Sequence, residues 1–201
     1  MAVNNPQGTV FIVDDDESIR HAMNLLLRSV GLNAEAYARG DDFLEHFDIE
    51  RLGCLVLDIR MPGLGGLDLQ KRLSALGSSM PIIFITGYGD VPMAVEAMQN
   101  GAFDFVQKPF RDQQLLEKIN AALSRDRNDR IEQARRSDVA ARRRKLTNRE
   151  REVMELVVTG KPNKAIAFEL GVSQRTVEIH RARVMEKMRA RSLAELVRMS
   201  V

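Results

Sequence analysis

Strand-like and helix-like segments alternate along the first 123 residues, and this alternation constrains the fold more than any other feature of the sequence. The strand-like runs are TVFIV, NAEAY, CLVL, PIIFIT and DFV. Helix-like stretches follow them at 17–30, from Asp41, and at 67–76, 91–100 and 112–123. Strands that alternate with helices pair in parallel through right-handed crossovers, with helices on both faces. The pattern therefore predicts an α/β domain built on a doubly wound, five-stranded parallel sheet.

Charge divides the chain into two parts of opposite sign. Residues 1–123 carry 17 acidic and 10 basic side chains, a net charge of −7, whereas residues 124–201 carry 11 acidic and 20 basic ones, a net of +9. This difference predicts two domains with different partners, and the basic domain is a candidate for nucleic acid binding. The segment after residue 123 is dense in charge and contains no proline or glycine. It predicts a helical linker, 124–141, before a C-terminal domain, 142–201.

The length of the apolar runs indicates the subcellular location of the protein. None is long enough to span a bilayer, and the N-terminal residues lack the basic and apolar regions of a signal peptide. We therefore expect a cytoplasmic protein with no membrane partner. The one cysteine, Cys54, lies in a predicted buried strand, which excludes an internal disulfide and indicates a core position.

The C-terminal domain is predicted to be all α-helical, with four helices. Capping boxes in TNRE (147–150) and SLAE (192–195) predict the starts of the first and last helices, and Ser173 is the expected N-cap of the third. A helix, a short turn at Gly171 and an arginine-rich helix form the pattern of a helix-turn-helix over about 162–181. The alternative is a basic, solvated helix in a small bundle.

The arginine-rich helix has two distinguishable faces by its three- and four-residue spacing. Its predicted buried stripe consists of Val177, Val184 and Met188. Its predicted exposed face consists of Arg175, Glu178, Ile179, Ala182 and Arg183. The backbone N–H groups at its start, next to Ser173, are a predicted seat for a phosphate group. The exposed face is therefore a candidate reader of DNA.

Three carboxylates follow predicted strands in the first domain. Asp58 comes after CLVL, while Asp14 and Asp15 come after TVFIV. In a doubly wound sheet of the flavodoxin-like kind, parallel strands end on one edge, and ligands bind there. We expect the three carboxylates to be crowded at this edge, where Mg²⁺ would compensate their repulsion.

Two further strand ends add a hydroxyl and an ammonium group, from Thr86 and Lys108. Lys and a metal neutralise phosphoryl oxygens and Thr donates a hydrogen bond, so these groups beside a magnesium site predict a phosphoryl pocket. Each residue also has a structural reading, as a helix cap, a strand end or a solvated lysine. Their occurrence together at the ends of four strands favours the pocket.

The motifs VDDD, LDIRMPG, ITGYGD and KPF resemble the receiver domain of two-component response regulators over residues 8–123. The resemblance implies that Asp58 accepts a phosphoryl group from a sensor histidine kinase. It implies that Asp15, the Asp58 carboxylate and the backbone carbonyl of Arg60 hold Mg²⁺, with Asp14 supporting the ion through water.

The same resemblance assigns further roles around the pocket. Lys108 and Thr86 take part in the phosphoryl chemistry, and Gly87 leaves room for the phosphoryl group. Thr86 and Phe105 form a switch in which the hydroxyl moves toward the phosphoryl oxygens and the aromatic ring turns inward. Read from the residues alone, Phe105 is a core aromatic on a strand. A cis peptide before Pro109 is usual in the family, and an X-Pro bond permits it.

Residues 146–188 resemble the LuxR-type (FixJ/NarL-type) DNA-binding domain, and together with the receiver motifs they place the chain nearest to FixJ-like response regulators. Backbone contacts to DNA are expected from Lys164, Arg175, Thr176, His180 and Arg181. Ser173, whose neighbouring amides would seat a phosphate, and Arg183 on the exposed face are further expected DNA-binding residues. Base contacts are expected where the family reads bases, at Glu178, Ile179 and Ala182.

The sequence thus predicts a transcription regulator, not an enzyme. Phosphorylation of Asp58 would cause dimerisation through the receiver, and the dimer would bind double-stranded promoter DNA and work with RNA polymerase. One rival is a phosphoryl hydrolase with Asp58 as nucleophile, but Arg60 stands where a second acid would be expected. The other is RNA binding, as in receiver-linked antiterminators, which use a different three-helix module.

Overall fold

The computed structural model describes residues 8–87 and 91–200. The chain divides into two compact units, residues 1–130 and 131–201. The first unit contains, in order, β1 (Thr9–Val13), α1 (Glu17–Ser29), β2 (Asn33–Tyr37), α2 (Gly40–His46), β3 (Gly53–Asp58), α3 (Gly66–Ala75), β4 (Ile82–Thr86), α4 (Val91–Gln99) and β5 (Asp104–Gln107). All strand pairs are parallel, in the order β2-β1-β3-β4-β5. The predicted fold class is confirmed.

The sheet is covered on both faces, which explains the continuous apolar runs of its central strands. Along β3, Leu55 and Leu57 pack on one face with side chains of α2, α3 and α4. Cys54 and Val56 pack on the other face with side chains of α1 and of the helix after β5. Cys54 is fully buried, as predicted, and burial raises the pKa of its thiol above the ordinary value. Asp58, the last residue of β3, emerges from this core at the strand's carboxyl end.

The helix after β5 is longer than its sequence pattern suggests. Helix α5 runs from Asp112 to Arg144, so the predicted last helix of the first domain and the predicted linker are one helix, with no end at residue 123. Side chains remain buried as far as Asp126. Beyond the core, ion pairs at (i, i+4) spacing, such as Arg142 with Asp138, support the exposed turns.

The second unit contains α6 (Asn148–Val158), α7 (Asn163–Leu170), α8 (Gln174–Met188) and α9 (Leu193–Ser200). Its core is formed by Val153, Met154, Val157, Ile166, Val177, Val184, Met188 and Leu196, among others. The capping box of α6 is present in both directions between Thr147 and Glu150. Gly171 ends α7 with a left-handed φ of 64°, a conformation that glycine adopts without strain.

The second predicted capping box is only half correct. Ser192 Oγ accepts the backbone N–H of Glu195 (3.2 Å), as expected, but the Glu195 carboxylate accepts the N–H of Arg191 (2.8 Å) instead of that of Ser192. The carboxylate therefore bonds one residue further back than the box requires. No helix within the described residues is both long and apolar enough to cross a membrane.

Candidate phosphorylation site and nucleic-acid interface

The three carboxylates predicted to meet at the carboxyl edge of the sheet do so. Strands β1 and β3 are paired neighbours, with Val13 opposite Leu57, so the residues after them lie side by side. One carboxylate oxygen from each of Asp14, Asp15 and Asp58 lies within 4.8 Å of the others. Asp14 is buried and Asp15 is exposed. Such a set of oxygen ligands, partly open to solvent, fits a hard divalent cation such as Mg²⁺.

Lys108 joins this cluster from the end of β5. Its Nζ donates hydrogen bonds to Asp58 Oδ2 (2.8 Å) and to Asp14 Oδ2 (3.0 Å). Its own backbone N–H donates to the carbonyl of Thr86 (2.7 Å), which fixes the base of the side chain next to β4. The peptide bond between Lys108 and Pro109 is cis. One ammonium group therefore bridges two of the three carboxylates.

The pKa values at this edge reflect burial and ion pairing together. Burial raises the pKa of Asp14 above its ordinary value, although the backbone N–H of Asp16 and the Lys108 ammonium lower it. Burial lowers the pKa of Lys108, but its hydrogen bonds to Asp58 and Asp14 raise the pKa by a larger amount, so that the net shift is upward. The raised pKa of Asp14 thus comes from its burial, and the raised pKa of Lys108 comes from its two carboxylate partners.

Thr86 and Phe105 lie on the neighbouring strands β4 and β5. Thr86 is buried, with 3% of its surface exposed, at the end of β4. Phe105 is 42% exposed, so its reading as a core aromatic is wrong. The reason is that β5 is an edge strand with alternating burial, in which Val106 points inward and Phe105 outward. The switch role of the two residues stays a prediction; residues 88–90 of the ITGYGD motif lie outside the described residues.

Two positions at this edge carry no signal that singles them out in the sequence. A Cβ atom on Gly66, the first residue of α3, would lie 2.4 Å from the Asp58 carbonyl oxygen, so only glycine allows this close approach. The Gly66 N–H donates to the carbonyl of Ile59 (3.0 Å). Arg20 Nη1 donates to the Asp14 carbonyl (2.7 Å), which holds the turn after β1. Both contacts fix the backbone that carries a carboxylate of the site.

In the second unit, helix α8 has the two faces that its spacing predicts. Val177, Val184 and Met188 are buried. The five residues of the predicted exposed face, Arg175, Glu178, Ile179, Ala182 and Arg183, are all exposed. Ser173 caps the helix by accepting the backbone N–H of Thr176 (3.1 Å). The predicted reading face is thus accessible, and Lys164 on α7 is exposed as well.

The other residues expected to contact DNA are partly engaged within the unit. Arg181 Nη1 donates to Asn163 Oδ1 at the start of α7 (3.0 Å). The Thr176 hydroxyl is hydrogen bonded to Ser173 Oγ (2.8 Å). His180 is half-buried, and its Nδ1 has no partner among the residues that the structure describes. These side chains therefore differ from Arg175 and Arg183, which face solvent.

An acidic edge with a bridging lysine on a doubly wound domain, followed by a helix-turn-helix module, defines a class of regulators that couple a receiver to DNA binding. Comparison with known proteins agrees with this class. Residues 10–120 match the family of response regulator receiver domains, and residues 144–200 match the bacterial regulatory proteins of the luxR family. The chain belongs to the response regulators, and specifically to the FixJ-like transcriptional regulators with a luxR-family DNA-binding domain.

Curated relatives and solved structures cover nearly the whole chain. Nodulation protein W of Bradyrhizobium diazoefficiens is 50% identical over 194 residues, which cover 96% of this chain and 86% of that protein. The transcriptional regulatory protein FixJ of Azorhizobium caulinodans is 46% identical over 192 residues, 96% of this chain and 91% of that protein. The response regulator StyR is structurally similar with a TM-score of 0.87 and 44% identity, covering 96% and 97% of the two chains.

Proposed function

We propose that Asp58 accepts a phosphoryl group from a sensor histidine kinase and that this modification controls dimerisation and DNA binding. The observation that carries the proposal is the contact of Lys108 Nζ with both Asp58 and Asp14, within a cluster of three carboxylates. An aspartyl phosphate is a high-energy anhydride, and it stores a signal only where positive charge offsets its oxygens. The hydrogen bonds of the Lys108 ammonium to both carboxylates support that role.

The Asp58 carboxylate acts as the nucleophile in this reaction. One of its oxygens forms a bond to phosphorus while the bond from phosphorus to the donor histidine nitrogen breaks, and the imidazole leaves with that electron pair. The magnesium ligands would be Asp15, the Asp58 carboxylate and the Arg60 carbonyl, with Asp14 through water; the bound ion would neutralise phosphoryl oxygens. Lys108 balances the remaining charge on the product.

The response to phosphorylation is proposed to involve Thr86 and Phe105. The Thr86 hydroxyl, buried at the end of β4, would hydrogen bond the phosphoryl oxygens. The ring of Phe105, which is exposed, would then turn inward toward the space that the hydroxyl leaves. This change would alter the surface formed by α4, β5 and α5, through which two receivers would dimerise.

The dimer is proposed to bind promoter DNA through helix α8 of each subunit. No side-chain hydrogen bond or ion pair is found for Lys164, Arg175 or Arg183 within residues 8–87 and 91–200, so their charges are available to phosphates. Glu178 would accept a hydrogen bond from cytosine N4, and Ile179 would pack on a thymine methyl group. Regulation of transcription further implies RNA polymerase as a partner and the cytoplasm as location.

Phosphorylation of the purified full chain tests the proposal. We would incubate it with acetyl phosphate and Mg²⁺, measure the added mass, and compare gel shifts on duplexes selected by the phosphorylated protein. We expect one labile phosphoryl group on Asp58 and tighter DNA binding, and neither in the Asp58→Asn variant. If phosphorylation still tightened DNA binding by the wild-type factor in that variant, another residue would be the acceptor. Repeated turnover of a small phosphoester would favour a hydrolase instead.

A further inference from the structure

Helix α5 is fastened to the start of strand β3 by a buried carboxylate. Asp126 lies beyond the part of the chain that matches receiver domains, yet its surface is 0% exposed. Its Oδ2 accepts the backbone N–H of Gly53, the first residue of β3 (2.9 Å). The same oxygen accepts Nε of Arg130, one helical turn further along (2.9 Å).

Arg130 extends this attachment to the turn that precedes β3. Its Nη1 and Nη2 donate to the backbone carbonyls of residues 49–51 at distances of 2.8–3.1 Å. The planar guanidinium presents its donors in a fixed fork, so one side chain holds a carboxylate and three carbonyls together. We name Asp126 and Arg130 the α5 clasp. A lysine could not reproduce this set of bonds from one ammonium nitrogen.

Stability alone does not explain the α5 clasp. The Asp126 side chain is fully buried, whereas that of Arg130 is 21% exposed. Burying a charge is costly, and apolar residues of similar volume often serve a fold as well or better. Moreover, Oδ1 of Asp126 is buried with no hydrogen-bond partner among the residues that the structure describes. Buried polar and ionic groups are best attested where they fix one arrangement among several. Here the arrangement that is fixed is the position of α5 on β3.

The two elements that the α5 clasp joins both lead to functional parts of the chain. Strand β3 begins at Gly53 and ends at Asp58. Helix α5 continues past Arg130 to Arg144, the first residue of the part that matches the luxR family. We propose that Asp126 and Arg130 are positioning residues that couple phosphorylation of Asp58 to DNA affinity. This inference rests on the proposed function and adds the residues through which the receiver acts on the helix.

The chain offers a matched control on the same helix. Arg125 and Asp129 form an Arg–Asp pair with the same four-residue spacing, but their side chains are 65% and 46% exposed. Arg125 Nε donates to Asp129 Oδ2 (2.7 Å), and neither residue bonds to β3 within the described part of the chain. Arg125→Met therefore removes an arginine from an Arg–Asp pair on α5 and leaves the α5 clasp intact.

The experiment measures the gain, which is the ratio of the DNA dissociation constants of the unphosphorylated and phosphorylated full chain. The duplex is one selected by the phosphorylated wild type, and phosphoryl uptake is checked by intact mass. Coupled sites typically change affinity by about 5- to 150-fold. We expect Arg130→Met and Asp126→Asn to take up one phosphoryl group but to show a gain of about twofold or less. Arg125→Met should keep the wild-type gain.

Thermal unfolding separates positioning from simple stabilisation. If the α5 clasp only stabilises the fold, Arg130→Met and Asp126→Asn will unfold at lower temperature and keep the full gain, and the inference is then wrong. Arg130→Lys is the milder variant, with an expected gain between those of Arg130→Met and the wild type. If Arg130→Met does not fold, a full gain in Arg130→Lys overturns the inference. A wild type without phosphoryl uptake contradicts the proposed function itself.

Discussion

The two units of the chain use charge in different ways. At the acidic edge of the first unit, a few charged groups converge on one point, where Lys108 contacts two carboxylates directly. In the basic second unit, arginines are divided between two tasks. Arg142 and Arg149 donate to the carbonyls of Met188 and Leu170 near the ends of α8 and α7, while Arg175 and others face solvent. We expect the function of the acidic edge, where charges converge, to depend on single residues. We expect DNA binding by the exposed arginines of the second unit to depend on how many of them there are.

The largest effect is expected where the charges converge. Replacing Lys108 by Met removes the only ammonium found next to Asp58 among the described residues. The phosphoryl group would then lack its fixed counter-charge, and we expect phosphorylation by acetyl phosphate to slow by about two orders of magnitude or more. DNA binding by the unphosphorylated chain should not change, because the second unit is untouched.

The measurement is the rate of phosphoryl incorporation, followed by intact mass, with gel shifts on the same samples. Lys71→Met is a suitable control, because Lys71 pairs with Glu96 at the protein surface and makes no described contact with the carboxylate cluster. A Lys108→Met variant that is phosphorylated at the wild-type rate would show that convergence of charge does not govern this site.

A second prediction concerns the backbone that supports the convergent site. Gly66→Ala places a Cβ atom 2.4 Å from the Asp58 carbonyl oxygen and 3.0 Å from Ile59 Cα, and backbone atoms cannot move aside as a flexible side chain would. We expect the free energy of unfolding to fall by about 3 kcal/mol and the phosphorylation rate to decrease. Urea unfolding of the full chain measures the loss.

The neighbouring glycine provides the control for this prediction. A Cβ atom on Gly65 would have its nearest contact at 3.8 Å, and its φ of −68° suits any residue. Gly65→Ala should therefore change the free energy of unfolding by about 1 kcal/mol or less. If Gly66→Ala and Gly65→Ala lowered the free energy of unfolding equally, glycine would be needed at these positions for backbone flexibility and not for space.

The difference between the units also decides what the sequence could predict. The strand ends that carry Asp14, Asp58 and Lys108 follow short apolar runs, and parallel pairing brings such ends together whatever the details of packing. The cluster could therefore be predicted from order along the chain. The requirement for Gly66 could not, since it arises from the distance between α3 and a backbone carbonyl, which no local pattern encodes.

The misread features share a physical cause. Phe105 follows an apolar pattern, but its exposure depends on β5 being an edge strand, which is a property of the whole sheet. Helix α5 continues without a break into the predicted helical linker, where Asp126 is buried against β3, although a charged residue reads as solvent-exposed in the sequence. In the second unit, the pattern separates buried from exposed residues on α8, but it does not separate arginines bound to helix ends from free ones.

A third prediction tests that division of arginines. Arg183→Gln removes an exposed charge from α8, and the slope of log affinity against log salt concentration should become shallower by about 0.9 for each phosphate that the variant no longer neutralises. Arg142→Gln instead removes bonds to the Met188 carbonyl and to Asp138. It should lower the free energy of unfolding by about 1.5 kcal/mol and leave the salt slope nearly unchanged.

Salt titrations of DNA binding and urea unfolding, applied to both variants, measure the two effects. Each variant serves as the control for the other, because each removes one arginine charge from the same unit. If both substitutions alter the salt slope equally, the second unit acts through its net charge alone, and the contrast between structural and exposed arginines has no functional meaning.

The smallest predicted effect concerns Glu150. Charged groups converge on this residue, as they do at the acidic edge of the first unit, although it lies in the second unit. Its Oε2 accepts hydrogen bonds from Lys187 Nζ (2.6 Å) and from the Thr147 N–H (2.8 Å), and its surface is 2% exposed. The bond from Lys187 is the main reason that the pKa of Glu150 lies below its ordinary value of 4.5, although burial opposes the shift.

Because folding lowers this pKa, the charged carboxylate stabilises the fold above about pH 4.5, and its contribution is lost as the pH falls through the lower folded value. In Glu150→Gln the unfolding free energy of the second unit should be lower at neutral pH, by about 1 kcal/mol, and should decrease less on acidification. The methyl NMR signals of Met154 and Met188, both buried in this unit, follow its unfolding in the full chain. If the unfolding free energy falls equally steeply with pH in wild type and variant, other carboxylates govern its pH dependence. The pair of Glu150 and Lys187 would then contribute no more than other charges of this unit.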